Sequence, residues 1–119
     1  MFFTHGRLQP VVDVLNAATG WGFTKDEFLA AGARVTALSR AFNIRHGLVP
    51  EMDFRPSPRY SAKPVDGPGA TLAVSAAAVA EEWARKYYRA HGWDEKTSKP
   101  LPETLHRLGL GYVAKDLWG

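Results

Sequence analysis

Along the chain, apolar positions recur at helical spacing in separate blocks. In residues 8–20, LQPVVDVLNAATG, the apolar side chains Val11, Val14, Leu15 and Ala18 share one helical face. Pro10 suits a first helical turn, where its missing N–H costs nothing, and Gly20 suits the C-terminal stop. This predicts a helix over 8–19, followed by the aromatic connector Trp21-Gly22-Phe23. Thr24 and Glu27 then have capping-box spacing, and Asp26 complements the positive end of a helix. The spacing predicts a helix over 25–46, with Phe28, Ala31, Val35, Leu38 and Phe42 as its inward stripe and Leu29 beside it. Gly32 inside that helix costs about 1 kcal/mol, which a close helix crossing would offset. Gly47 ends the segment.

Residues 48–70 break the pattern. Pro50, Pro56, Pro58, Pro64 and Pro68 argue against a helix or a central strand. An extended arm over 48–70 is expected, held to a surface by Met52, Phe54, Tyr60 and Val65. Alanine-rich sequence then predicts a helix over 75–91, capped by Ser75, with Val79, Trp83, Tyr87 and Ala90 on its apolar face. A last short helix is expected over 102–108, opened by Pro102, with Gly109 after it. The tail GYVAKDLWG is too short to assign. The expected fold is mainly α: one small domain over 1–119, with three to four helices and a proline-rich arm.

Composition narrows the function classes. The chain has 119 residues and no cysteine, so it holds no disulfide, thiolate zinc site or cluster ligand of its own. No apolar run reaches the ~18 residues of a membrane helix. The start MFFTHGRLQP lacks a signal-peptide core, so a cytoplasmic location is expected. A pI of 9.4 suggests nucleic acid at first, yet basic and acidic residues are mixed throughout: five against three in residues 1–50, ten against nine in 51–119. No basic block or face emerges, and neither a nucleic-acid nor a membrane partner is expected.

Candidate chemistry is sparse. His5, His46, His91 and His106 have no metal-site spacing among them. Gly67-Pro68-Gly69 is no phosphate loop, and no serine sits in a nucleophile elbow. No catalytic, metal-binding or cofactor-binding residue is assigned. Arg40, Asn43, Arg45 and His46 cluster at the end of the second helix. Arg45 continues the apolar stripe by spacing, which makes it a candidate to point inward, where a buried cation needs an anionic cofactor or a neighbouring carboxylate; the favoured alternative is that these charges stabilise the C-terminal end of the helix. Aromatic residues make up 12% of the chain and many fall in connectors, Phe2 and Phe3 among them, so either part of this surface meets a partner or the rings form small clusters under the loops.

The order of landmarks resembles the C-terminal region of the tungsten-containing aldehyde:ferredoxin oxidoreductase family. The landmarks are Thr19-Gly20-Trp21, Thr24, Glu27, Gly32, Arg34, Leu38, Arg40, Phe42-Asn43, Arg45 and Gly47. Asp66-Gly67-Pro68, the run Tyr87 to Asp94, Pro102 and Leu105 to Leu110 continue the match. The resemblance spans about residues 2–110. It implies a helical domain that covers a cofactor domain. Enzymes of that family oxidise aldehydes to carboxylic acids and pass electrons to ferredoxin. They use a tungsten- or molybdenum-pyranopterin and a four-iron four-sulfur cluster. The family's cluster cysteines and pterin-binding aspartate motif have no counterpart here. Met1-Phe2-Phe3-Thr4 resembles the segment that follows the last of those cysteines. His46 stands where the family usually has glutamate. The resemblance therefore implies a covering domain, fragment or small subunit that is not catalytic by itself, with a larger catalytic chain as partner. The alternative is an independent helical module that self-associates through exposed aromatics. Phe2, Phe3, Arg40, Asn43, Arg45 and His46 are the candidate interface to the larger catalytic chain.

Overall fold

A computed structural model describes residues 7–62, 64–71 and 76–119. The helices are α1 (Gln9–Thr19), α2 (Lys25–Arg45), α3 (Pro50–Asp53), α4 (Pro58–Ser61), α5 (Pro68–Thr71), α6 (Ala76–His91), α7 (Pro102–Arg107) and α8 (Gly111–Trp118). Among the described residues there is no strand, only an isolated bridge between Trp93 and Pro100. The mainly α class is thus as expected.

The end signals act as their chemistry dictates. The Thr24 hydroxyl accepts from the Glu27 amide, and the Glu27 carboxylate accepts from the Thr24 amide at 2.8 Å. Gly20 takes a left-handed conformation, φ 72°, and its amide closes α1 on Asn16. Asn16 then grips the connector: its side chain donates to the Phe23 carbonyl and accepts from the Phe23 amide, both at 2.8 Å. The entry angle of α2 is thereby fixed relative to α1. Ser75, the expected cap of α6, lies outside the described residues.

The proline-rich arm is not simply extended. Three single helical turns, α3, α4 and α5, each begin at a proline. Proline at the first helical position lacks an N–H that would be unpaired in any case, so it starts a turn as readily as it forbids a long helix. α3 and α4 pack on α6. Phe54 is half-buried beneath the Arg85 guanidinium. Met52 and Val65, expected as anchors, are exposed, Val65 at 97%. The Tyr60 side chain lies outside the described residues.

The core centres on the α7–α8 hairpin. Leu105, Leu108, Leu110, Val113 and Ala114 close against Ala37 and Ala41 of α2, with Leu117 alongside. The tail left unassigned from sequence is therefore a helix, stabilised by packing on α7 and α2 more than by its own propensity. Three expected inward faces are corrected. α1 buries Val12, while Val11 and Val14 are exposed. α6 buries Tyr88, while Trp83 and Tyr87 are exposed. α2 buries Ala37, Arg40 and Ala41, while Val35, Leu38 and Phe42 are exposed. Among the described residues nothing lies within 4 Å of where a Cβ on Gly32 would stand, so no close crossing that would offset its cost is seen there.

The chain is open for its size. Its Cα radius of gyration is 18.1 Å, against about 13–14 Å for a compact domain of this length. Its accessible surface is 8850 Å², against about 6,400 Å² for a compact monomer of the same mass.

Candidate functional site

The most interlocked polar group joins three elements around Arg40. α2 places Arg40 on its packed face, with 9% of the side chain exposed. Its Nη2 donates to Asp53 Oδ2 at the end of α3, at 2.5 Å, and lies 3.3 Å from the Tyr88 hydroxyl of α6. Its Nε donates to the Ser98 carbonyl at 3.3 Å. Tyr88 also donates to Asp53, and the guanidinium lies 5.3 Å and 5.2 Å from the ring centres of Tyr88 and Trp93. One side chain thus ties the arm, α6 and the 94–100 loop to α2.

That loop is built to present its carbonyl. Asp94 Oδ1 accepts from the amides of Lys96 and Thr97 and from the Thr97 hydroxyl. Ser98 is fully buried and left-handed, φ 58°, a costly conformation for a non-glycine residue. Its carbonyl faces Arg40, whose charge compensates the buried acceptor.

Electrostatics follow from the geometry. Burial pushes the Asp53 carboxyl up, but hydrogen bonds from Arg40 and Tyr88 and the Arg40 charge outweigh it, and the net shift is downward. Burial, then the hydrogen bond and charge of Asp53, push the Tyr88 phenol up to about 12. The cluster is an ionised carboxylate clamped by a cation and a neutral phenol. It holds parts together; no group in it is poised to give or take a proton near neutral pH.

The expected interface residues separate. The buried arginine is Arg40, not Arg45. Arg45 points outward and pairs with Asp116 of α8 at 2.8 Å, both largely exposed. On a helix with ~100° per residue, position 45 lies about 80° from Ala37, toward α8, where solvent is within reach. Asn43 is exposed, and His46 is exposed with its ring 4.2 Å from that of Phe42. Phe2 and Phe3 lie outside the described residues. Sequence reasoning raised an anionic partner for Arg45, not for Arg40, and did not point to Asp53, Tyr88, Trp93 or Ser98. Asp53 sits 13 residues from Arg40 across a proline-rich turn and Tyr88 sits 48 away. No local spacing signals such a meeting.

A second feature is apolar. Leu38, Ala41 and Phe42 of α2 and Tyr112, Val113 and Leu117 of α8 line a groove of about 360 Å³, edged by the Arg45–Asp116 pair. Val35 lies 65% exposed, Leu38 41%, Phe42 61% and Tyr112 68%.

A sequence model of the family described as aldehyde ferredoxin oxidoreductase, domains 2 and 3, matches residues 2–110. The chain belongs to the aldehyde ferredoxin oxidoreductase family. It is 35% identical over 99 residues to the tungsten-containing aldehyde ferredoxin oxidoreductases of Pyrococcus furiosus and Pyrococcus horikoshii. It is 33% identical to that of Thermococcus kodakarensis. Each match covers 82% of this chain and 16% of the relative's length. No solved structure matches.

The relatives' tungsten raises the question of which residues here fit a metal. The described residues contain no group of three or more His, Asp or Glu side chains that could surround an ion. The chain has no thiolate to offer a cluster. These side chains do not fit a resident metal or cluster. No helix among the described residues is long and apolar enough to cross a membrane.

Proposed function

We propose that this chain is the C-terminal covering part of an aldehyde ferredoxin oxidoreductase-like enzyme and does no chemistry alone. In this reading the metal-pterin centre, the iron–sulfur cluster and the reduction of ferredoxin belong to the larger part of the enzyme, in the cytoplasm. The role of these helices is to lie over the cofactor domain, exclude water and shape access for an aldehyde. The observation that carries the reading is the open form. The accessible surface exceeds that of a compact monomer by about 2,400 Å², and large apolar side chains stand on it from α1 to α8. Such a surface is normal for a piece made to be covered.

The test is elemental analysis for tungsten, molybdenum and iron on protein isolated anaerobically from its own source. Metal that travels with a larger chain of the same family supports the reading. Metal-free protein with no larger chain refutes it. A second reading, self-association, rests on the exposed aromatics Trp21, Trp83 and Tyr112. A stable homodimer in sedimentation equilibrium with no larger partner would favour it.

A further inference from the structure

We propose that the bare face formed by Val35, Leu38 and Phe42 of α2 and Tyr112 of α8, with the groove between the two helices, is the seat for the remainder of an aldehyde ferredoxin oxidoreductase chain. This rests on the covering role proposed above and names the surface that performs it.

The argument starts with α2. Successive residues of an α-helix turn ~100°, so Val35, Leu38 and Phe42 lie roughly 100–160° around the axis from Ala37. The Ala37–Ala41 side is closed by Leu105, Leu108 and Val113, and the other side is bare. A helix apolar on both sides is a helix buried on both sides. The chain covers only one of them.

The bare side has a definite shape. Phe42 and Tyr112 are exposed on the two helices that form the groove, and Leu38 and Ala41 lie between them in its lining. The volume of about 360 Å³ takes one or two large apolar side chains. The Arg45–Asp116 pair sits at the edge, half in solvent, as a polar rim sits beside an apolar interface centre.

Size and relationship indicate the occupant. In the relatives the matching segment is 16% of a much longer chain, so the counterpart of α2 lies among the other parts of that chain. Over the whole chain the accessible surface exceeds that of a compact monomer by about 2,400 Å², which leaves room for an interface of standard size or larger. A family chain supplying its other five-sixths would provide that area.

The test uses the whole chain, tagged and expressed in its source cells, then isolated anaerobically. Captured proteins are identified by mass spectrometry and tungsten by elemental analysis. The double substitution Leu38→Asp/Phe42→Asp is compared with Trp83→Asp on α6. Wild type and the α6 variant are expected to capture a family chain with its tungsten, and the stripe variant at least about tenfold less. Equal capture by wild type and the stripe variant overturns the assigned face and leaves the covering role standing. Absence of a family chain from the wild-type capture overturns both. A homodimer that the stripe substitutions abolish would then assign the face to a second copy. Should the double variant lose helix content, single thiols decide, because the native chain has none. In the captured complex, maleimide labelling of Phe42→Cys is expected to slow at least about tenfold while Trp83→Cys labels freely. Equal labelling at both positions overturns the face.

Discussion

Replacing Asp53 with alanine tests whether the Arg40 cluster holds the arm in place. The substitution removes a small, partly exposed side chain whose methylene makes little core contact. Any large effect must therefore come from the charge it leaves behind. Arg40 would keep the Ser98 carbonyl and the two aromatic rings but lose its counter-ion, with 9% of its side chain in solvent. Removing one partner of a fully buried pair costs about 3–5 kcal/mol. Asp53 is 29% exposed, so water already screens part of the attraction, and about 2 kcal/mol is expected. With an unfolding entropy of about 2.1 cal/mol/K per residue, this lowers the melting temperature by about 8 °C. The same logic gives a sharper result for the double variant Arg40→Met/Asp53→Ala. Methionine fills the space under Tyr88 and Trp93 without a charge, so the double variant should be more stable than Asp53→Ala by about 1 kcal/mol. Urea unfolding followed by circular dichroism measures both. Hydrogen exchange should show the amides of α3 and α4 opening faster in Asp53→Ala. The reasoning is refuted if Asp53→Ala costs less than about 0.5 kcal/mol, or if the two single costs simply add.

Two further predictions concern different physics. Gly32→Ala should stabilise the isolated chain by about 1 kcal/mol, raising its melting temperature by about 4 °C, since its helix position has open space for a Cβ; a lower melting temperature would mean that this space is not open. Stability against pH should fall at both ends through one cluster. Asp53 titrates below its ordinary value of 3.8, so its contribution is complete above that pH and is lost as pH falls through the depressed value. Tyr88 is raised to about 12, so its contribution is complete below its ordinary value of 10.0 and is lost as pH rises toward about 12. Unfolding midpoints across pH in wild type and Asp53→Asn measure this: the variant should flatten both wings, and an unchanged alkaline wing would show that Tyr88 does not feel Asp53.

Ends and breaks were legible in the sequence because they depend on neighbours. Thr24 and Glu27 cap α2 as their spacing requires, Gly20 ends α1 in a left-handed turn, and Pro102 opens α7. Burial was not legible in the same way. Within the stripe, Phe28 and Ala31 are partly buried, while Val35, Leu38 and Phe42 were read correctly as apolar and incorrectly as covered by this chain. The periodicity of a helix states which side chains favour removal from water, but not which surface removes them. The small face of Ala37 and Ala41 carries too little hydrophobicity to outscore the stripe. It is nevertheless the face that α7 and α8 close, because small side chains let the α7–α8 hairpin approach. Arg40 illustrates the same limit for charge. Its partners come from three later segments, and only the folded chain places Asp53, Tyr88 and Ser98 within reach. α8 was missed because eight residues give weak propensity alone and gain their helix from contact.

The two errors on α2 and α6 have one cause, and that cause bears on function. In each helix the sequence periodicity selected large side chains, Val35, Leu38 and Phe42 in one, Trp83 and Tyr87 in the other. In each the chain buried a different face, anchored by Arg40 and Tyr88, which touch one another. A self-contained helical domain uses its largest apolar faces for its own core, since that is where most hydrophobic stabilisation lies. Here the core is built from alanines, a short hairpin and a polar lock, and the larger faces are left outside. A mispacked domain would also leave groups unsatisfied, yet no described buried side-chain nitrogen or oxygen lacks a partner. The polar groups of the inner packing are satisfied, which argues against reading the outer faces as remnants of poor folding. Of the two, the α2 face with its groove against α8 is the one we propose as the seat of a longer chain, since the matched segment is 16% of the relative's length.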